Sequence, residues 1–173
     1  VQTCALPIST DEAAPALGTA LDLVVERIAS RVPHEQAEAA SAFATAFTRR
    51  LPPADLEQAT ADELLGMVLG AFRLTDARGS EEVAVRVLNP TIAGDGYQSL
   101  GSVLEINTVD SPFLFDSVNE ELETRGLSVR RVIHPVIGTD RGPDGRLLHV
   151  LHVREAAARE SVRVPSLSNR TAS

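Results

Sequence analysis

Residues 102–135, SVLEINTVDSPFLFDSVNEELETRGLSVRRVIHP, read without a gap as strand, tight turn, helix, turn and strand, and the rest of the chain is organised around them. Residues 103–109 alternate and are rich in β-branched side chains, which suits a pleated surface. The period changes at Asp110-Ser111-Pro112. Ser111 has N-cap chemistry, and Pro112 suits a first helical position, where a missing N–H has no partner to lose. Leu114, Phe115, Val118 and Leu122 recur at helical spacing, so the pattern predicts a helix over 112–125 with one apolar stripe. Gly126 stops it, because glycine takes the left-handed conformation past a helix end without strain. Residues 127–137 form the second strand, with Val129, Val132, Ile133, Val136 and Ile137 available to pack on the helix. Phe115, Val118 and Leu122 are expected to be buried against Val129, Ile133 and Leu104.

Upstream, the chain is helical. Leu17, Leu21, Val24 and Ile28 fall on successive turns of a helix that ends before Pro33. A second helix, over 34–50, buries Ala40, Phe43 and Phe47 and stops at Leu51-Pro52-Pro53. Asp55 opens a short turn. Thr60 and Glu63 then have capping-box spacing ahead of a third stripe, Leu65, Val68, Leu69 and Phe72. At Ala77-Arg78-Gly79-Ser80 the helical period gives way to alternation. Residues 82–88 read as a strand with Val83, Val85 and Val87 on one face. Asn89-Pro90 ends it, and Ala93-Gly94-Asp95-Gly96 reads as a turn. A phosphate-loop reading of Gly94-x-Gly96 fails, since no lysine follows and no helix is expected to begin there. Downstream, 140–145 is a hairpin loop and 146–153 another alternating strand. Beyond Glu160 the segment Arg163-Val164-Pro165-Ser166-Leu167-Ser168-Asn169 is polar, proline-bearing and without pattern, and reads as a frameshifted or truncated end, with a native loop as the alternative.

Composition bounds the function. The chain has 173 residues, 43% of them hydrophobic, enough for one domain with a core or two small ones. No run approaches the ~20 apolar residues of a membrane helix. A net charge of −8 and 3% aromatics argue against nucleic acid or an anionic membrane as partner. One cysteine excludes an internal disulfide framework and fits a reducing cytoplasm. Val1 to Ile8 has no basic flank and makes a poor signal peptide. It back-translates in frame to a common sequencing-library adapter, so residues 1–9 read as a non-native or disordered leader and Cys4 carries no argument.

Few residues invite chemistry. His134, His149, His152 and Asp140 could be imagined around a metal, but His149 and His152 lie three apart on a strand and point to opposite faces. Ser111, Ser117 and Asp116 with His134 lack a nucleophile elbow, and Asp116 suits the positive end of a helix without any catalytic role. His34 reads as solvated, and His134-Pro135 as a packing and turn feature. No catalytic, cofactor or metal site is assigned. The feature with a physical rationale is the junction of Asp110, Ser111, Pro112, Phe113 and Leu114, where the unpaired N–H groups of a helix start could hold a carboxylate.

The runs Pro112-Phe113-Leu114-Phe115-Asp116-Ser117-Val118 and His134-Pro135 closely resemble the N-terminal region of the large bacterial NAD-specific glutamate dehydrogenases. The resemblance extends upstream through Leu51-Pro52, Asp62-Glu63-Leu64 and 85–90, about the middle two-thirds of the chain. It implies an ACT-type regulatory region with the dehydrogenase domain far downstream, NAD bound by the full-length protein and not by this segment, and a cytoplasmic, homo-oligomeric enzyme of amino-acid metabolism. The partners it implies are the downstream domains of the same polypeptide and an amino-acid effector. The expected fold class is α+β: an N-terminal helical segment, then a partial ACT or ferredoxin-like antiparallel sheet with a helix on one face. The expected division is leader 1–9, helical segment 10–78, truncated ACT-like domain 79–155 and irregular tail 156–173. ACT domains bind amino acids at an Asp-x-Pro-Gly turn. Here Phe113 replaces the glycine, which favours a subunit or interdomain contact over an effector pocket, and the βαββαβ pattern runs out after Val153. Two functions follow: the regulatory and assembly region of a glutamate dehydrogenase that converts glutamate to 2-oxoglutarate and ammonia, or a stand-alone ACT-like amino-acid sensor.

Overall fold

The spine of the sheet is the segment in which no pattern was expected. Ala158–Asn169 is a twelve-residue strand, β6, buried along most of its length. Its neighbours are β2 (Val103–Val109) on one side and, on the other, β3 (Leu127–Ile133) and β4 (Val136–Arg141), all antiparallel. The computed structural model describes residues 17–79 and 83–169, so the expectations for the leader and for the last four residues lie outside it. Pro165 explains why β6 escapes notice, since a proline ordinarily argues against a central strand. In the structure, Pro165 pairs with Val132 on the β3 side, while the β2 ladder skips from Ile106↔Arg163 to Val103↔Ser166 around it.

The strand expected over 127–137 is two strands, broken at His134-Pro135. They share one line along β6, since Ile133↔Val164 and Val136↔Ser161 keep the same register, and the Val162 N–H donates to the Pro135 carbonyl across the break at 3.0 Å. β1 (Ala84–Leu88) pairs with β2 at one edge, and β5 (Leu147–Leu151) pairs with β4 at the other. β2, a helix, and β3/β4 thus form a βαβ unit split by β6, the ferredoxin-like arrangement.

Among the described residues four α-helices precede the sheet instead of three: α1 (Leu17–Ala29), α2 (Ala37–Thr48), α3 (Pro53–Gln58) and α4 (Ala61–Ala77). The segment read as a turn at Asp55 is α3, started by Pro53 at its first position. Both halves of the Thr60–Glu63 capping box are made. Ala93 to Gly96, also read as a turn, closes a one-turn helix α5 (Ile92–Asp95), in which the Thr91 hydroxyl accepts from the Gly94 N–H. The apolar stripes face one core: Val24, Ile28, Phe43, Phe47, Val68 and Phe72 meet Val103, Ile133, Ile137, Val162 and Val164 of the sheet. Phe43 stacks on Phe47 and meets Phe72 edge-on.

Helix α6 (Leu114–Thr124) covers part of the opposite face, where Leu122 and Val118 pack on Leu104, Ile106, Leu127, Val129 and Leu167. Gly126 takes the expected left-handed conformation at its end, φ 75°. The Leu122, Val118, Val129 and Leu104 contacts hold, but Ile133 belongs to the other face and Phe115 remains 38% exposed. With layers on both sides, β2 buries both of its faces from Val103 through Asn107.

Candidate junction between strand and helix

Between β2 and α6 the chain turns through Asp110, Ser111, Pro112, Phe113 and Leu114, and the helix begins two residues later than its cap chemistry predicts. Ser111 does not cap it: its hydroxyl leans toward the Val109 carbonyl at 3.4 Å. Phe113 occupies the N-cap position with φ 64° and ψ 1°, the left-handed region that a β-carbon disfavours by about 1–2 kcal/mol. Pro112 therefore lies in the turn before the helix. Phe113 keeps the backbone conformation glycine would take there, yet carries a phenyl that is 77% exposed. Asp110 is tied to β6 by its N–H, which donates to the Arg159 carbonyl at 2.9 Å.

What holds this turn is Arg163, on β6, fully buried on the α6 face. One of its terminal nitrogens donates to the carbonyls of Leu114 and Phe115 at 3.2 and 2.9 Å, and the other to Asn119 Oδ1 at 2.9 Å. The guanidinium lies 4.0 Å from the Phe115 ring centroid. Among the described residues its Nε has no hydrogen-bond partner and no carboxylate is in hydrogen-bonding contact with it. Burial pulls its pKa down while the charge of Asp116 opposes that. His134 also stacks on the Phe115 ring, with centroids 5.8 Å apart, and meets the Ser161 hydroxyl at 2.5 Å. Burial, then the nearby Arg163 charge, lowers the His134 pKa and favours the neutral ring.

The opposite face of the same sheet end carries paired charge. Glu160, 2% exposed, accepts from Arg141 at 2.7 and 2.8 Å and from the Thr139 hydroxyl at 2.9 Å, and pairs with Arg78 at 2.5 Å. Burial would raise its pKa, but the hydrogen bonds and charge of Arg141, then of Arg78, hold it below the usual range. Arg141 also donates to the carbonyls of Thr75, Arg78 and Gly145, and Arg78 donates to Asn107. These contacts bolt the end of α4 to β2, β4 and β6. A cleft of about 430 Å³ opens beside them, lined in part by Arg78, Arg141, Arg159 and Asp110.

The other residues considered for chemistry are scattered. His149 meets Asp140 across β4 and β5 at 3.3 Å, His152 follows β5, and among the described residues no three His, Cys, Asp or Glu side chains are grouped to hold a metal. Arg163, Glu160, Arg78 and Arg141 were missed by sequence reasoning. The available signal was Glu160-Ser161-Val162-Arg163-Val164, an alternating run whose two charged residues fall among β-formers.

The family described as glutamate dehydrogenase, ACT1 domain matches residues 43–169. The NAD-specific glutamate dehydrogenase of Halomonas elongata is 33% identical over 136 residues, which is 79% of this chain and 8% of that protein. The enzyme of the same name from Pseudomonas aeruginosa is 34% identical over 109 residues, 63% of this chain and 7% of that protein. The chain therefore spans less than a tenth of the length of these relatives. No solved structure gives a significant match.

Proposed function

The chain belongs to the glutamate dehydrogenase ACT1 domain family, and from that premise we propose that it is the N-terminal regulatory and assembly region of an NAD-specific glutamate dehydrogenase. The full polypeptide would oxidise glutamate to 2-oxoglutarate and ammonia with NAD, in the cytoplasm. The observation that carries this reading is the extent of the match, which runs from α2 through the sheet to the last residue of β6 and so takes in helical layer and sheet together. The β2–α6 turn does not suit a dinucleotide. Close approach of a pyrophosphate to a helix start needs glycine, and this turn carries Ser111, Pro112 and Phe113. In this reading NAD chemistry belongs to the remainder of the polypeptide.

Within this region the junction acts as a subunit or interdomain contact in preference to an amino-acid pocket. A phenyl held in a strained backbone and displayed to solvent has the character of an interface anchor. Two experiments test the proposal. Deleting this region from the intact enzyme is expected to leave the hydride-transfer step working while changing the oligomeric state or the response to amino acids; unchanged assembly and response would refute it. The isolated chain, given NAD and glutamate, is expected to form no NADH. The stand-alone sensor reading requires micromolar binding of an amino acid to the wild-type chain by calorimetry. Binding only by Phe113→Gly would show that the phenyl, though exposed, keeps a ligand from the helix start.

A further inference from the structure

Arg86 and Glu105 stand opposite each other across β1 and β2, on the face of the sheet turned to α4 and away from α6. The Arg86 guanidinium spends Nε and one terminal nitrogen on a single carboxylate oxygen, Glu105 Oε2, at 2.7 and 2.5 Å. The other oxygen, Oε1 of a residue only 1% exposed, has no hydrogen-bond partner among the described residues. Neither has the hydroxyl of Tyr97, 3% exposed. A cavity of about 70 Å³ lies between α4, α5 and β1, walled by Gly66, Gly70, Arg73, Arg86, Asp95 and Tyr97. Glu105 Oε1 reaches it at Gly70, 3.6 Å from the point where a β-carbon on that residue would stand. Two glycines inside α4 weaken the helix, and packing demands only one of them. A β-carbon at Gly66 would meet the Asp95 carbonyl at 2.5 Å, so the close approach of α5 requires glycine there. At Gly70 it would meet, among the described residues, the ends of two side chains, Arg86 Nη2 at 3.0 Å and Glu105 Oε1. Gly70 thus leaves the Glu105 oxygen uncovered.

The wall fixes the chemistry of what binds. Glu105 and Asp95 set two negative charges around the cavity against the one of Arg86, while Arg73 is exposed and its charge is screened by water. Burial, then the charge of Glu105, pushes the Tyr97 pKa up to about 12, so the phenol keeps its proton and its oxygen remains an acceptor. A buried carboxylate oxygen without a donor is costly, and a donor that carries positive charge relieves it most. We propose that this cavity binds an ammonium group, which donates to Glu105 Oε1 and to the Tyr97 hydroxyl oxygen and is balanced in charge by Asp95. An anion would face the unpaired Glu105 oxygen, and a divalent metal needs about six oxygens, more than two carboxylates and a phenol supply. At roughly 15 Å³ for each group of water size, the cavity takes an ammonium ion with a few waters, or a primary ammonium compound of about five heavy atoms. Free ammonium and the amino group of a small amino acid offer the same chemistry, and the test separates them. The site is on the opposite face of the sheet from α6 and requires nothing of the regulatory role proposed for the strand–helix junction.

The test is the melting temperature of this chain in sodium, potassium, ammonium and methylammonium chloride at matched ionic strength, and in sodium chloride with added glycine. Relative to sodium chloride alone, a ligand at about ten times its dissociation constant is expected to raise it by roughly 3–6 °C. A rise with ammonium chloride and none with glycine assigns the site to the free ion; a rise with glycine assigns it to the amino group of a small amino acid. Gly70→Ala places a methyl over Glu105 Oε1, and Tyr97→Phe removes the second acceptor. Each is expected to remove most of the rise while its own melting temperature without ligand stays at or above that of wild type, since alanine is the better helix former and an unpartnered buried hydroxyl is gone. If Gly70→Ala disturbs the fold, Tyr97→Phe still decides. No rise with any of these ligands, an equal rise with potassium, or a rise that survives both substitutions would overturn the proposal.

Discussion

Replacing Glu160 by glutamine removes the only carboxylate to which Arg78 and Arg141 are both joined among the described contacts, without changing the volume of the side chain. All three side chains are nearly inaccessible to water, at 3, 1 and 8% for Glu160, Arg78 and Arg141. The variant leaves two buried guanidiniums facing a neutral amide, half of which is itself a donor and clashes with their N–H groups. Removing one member of a buried ionic group costs about 3–5 kcal/mol, and at ~2–4 °C per kcal/mol for a domain of this size the melting temperature should fall by roughly 6–20 °C. Urea unfolding followed by circular dichroism at pH 7 measures the loss. The pH dependence supplies a second reading. Because the folded pKa of Glu160 lies below its ordinary value of 4.5, its contribution is complete above that value and is lost as pH falls through the folded pKa. The gap between wild type and Glu160→Gln should therefore close on acidification below about pH 4.5. A gap under 1 kcal/mol at pH 7, or one that does not change down to pH 3, would refute the reasoning.

Glu105 should behave in the opposite sense. Burial outweighs its ion pair with Arg86 and raises its pKa, so wild type loses stability as pH rises from 4.5 through the raised folded value; Glu105→Gln should be neutral or stabilising at pH 8 and lose that advantage at pH 4, as read by urea midpoints. Leu122→Ala should destabilise by about 2–3 kcal/mol, the lower part of the range for buried leucine, because its cluster is small and open to a surface groove; a change below half a kcal/mol would mean that α6 is rotated. Phe113→Gly should raise stability by about 1 kcal/mol through relief of the left-handed strain, and a clear loss in thermal melts would show that the exposed phenyl has a folded-state contact within the chain.

What could be read from the sequence is what neighbouring residues decide. The stripes of α1, α2 and α4 repeat every turn, the Thr60–Glu63 box closes over three residues, and Gly126 acts on the helix just before it. The misreadings fall where a distant residue outvotes the local one. Ser111 and Pro112 have the right chemistry for a helix start, but Arg163, 49 residues away, holds the Leu114 carbonyl and fixes the first turn two residues later. Arg78 looks like a boundary residue, yet its carbonyl accepts from Arg141, 63 positions on, and its side chain pairs with Glu160, farther still. Pro165 forbids a ladder bond on one side only, and a rule that demotes any strand containing proline misses a strand whose two flanks are otherwise satisfied.

The two faces of β6 handle buried charge differently, and the difference separates the fixed part of the molecule from the adjustable part. Toward the helices, Glu160 meets both guanidiniums beside it, so the α4–sheet joint is locked and any change breaks a complete network. Toward α6, Arg163 hydrogen-bonds no carboxylate among the described residues, feels the Asp116 charge only from a distance, and leans on two carbonyls, an amide and an aromatic ring. A buried cation held by neutral acceptors is worth less to the fold, and it is the group most responsive to a carboxylate brought near. The strained Phe113 turn is coupled directly to that cation through Leu114 and Phe115. A contact made on the exposed phenyl is therefore expected to be felt in β6 through Arg163.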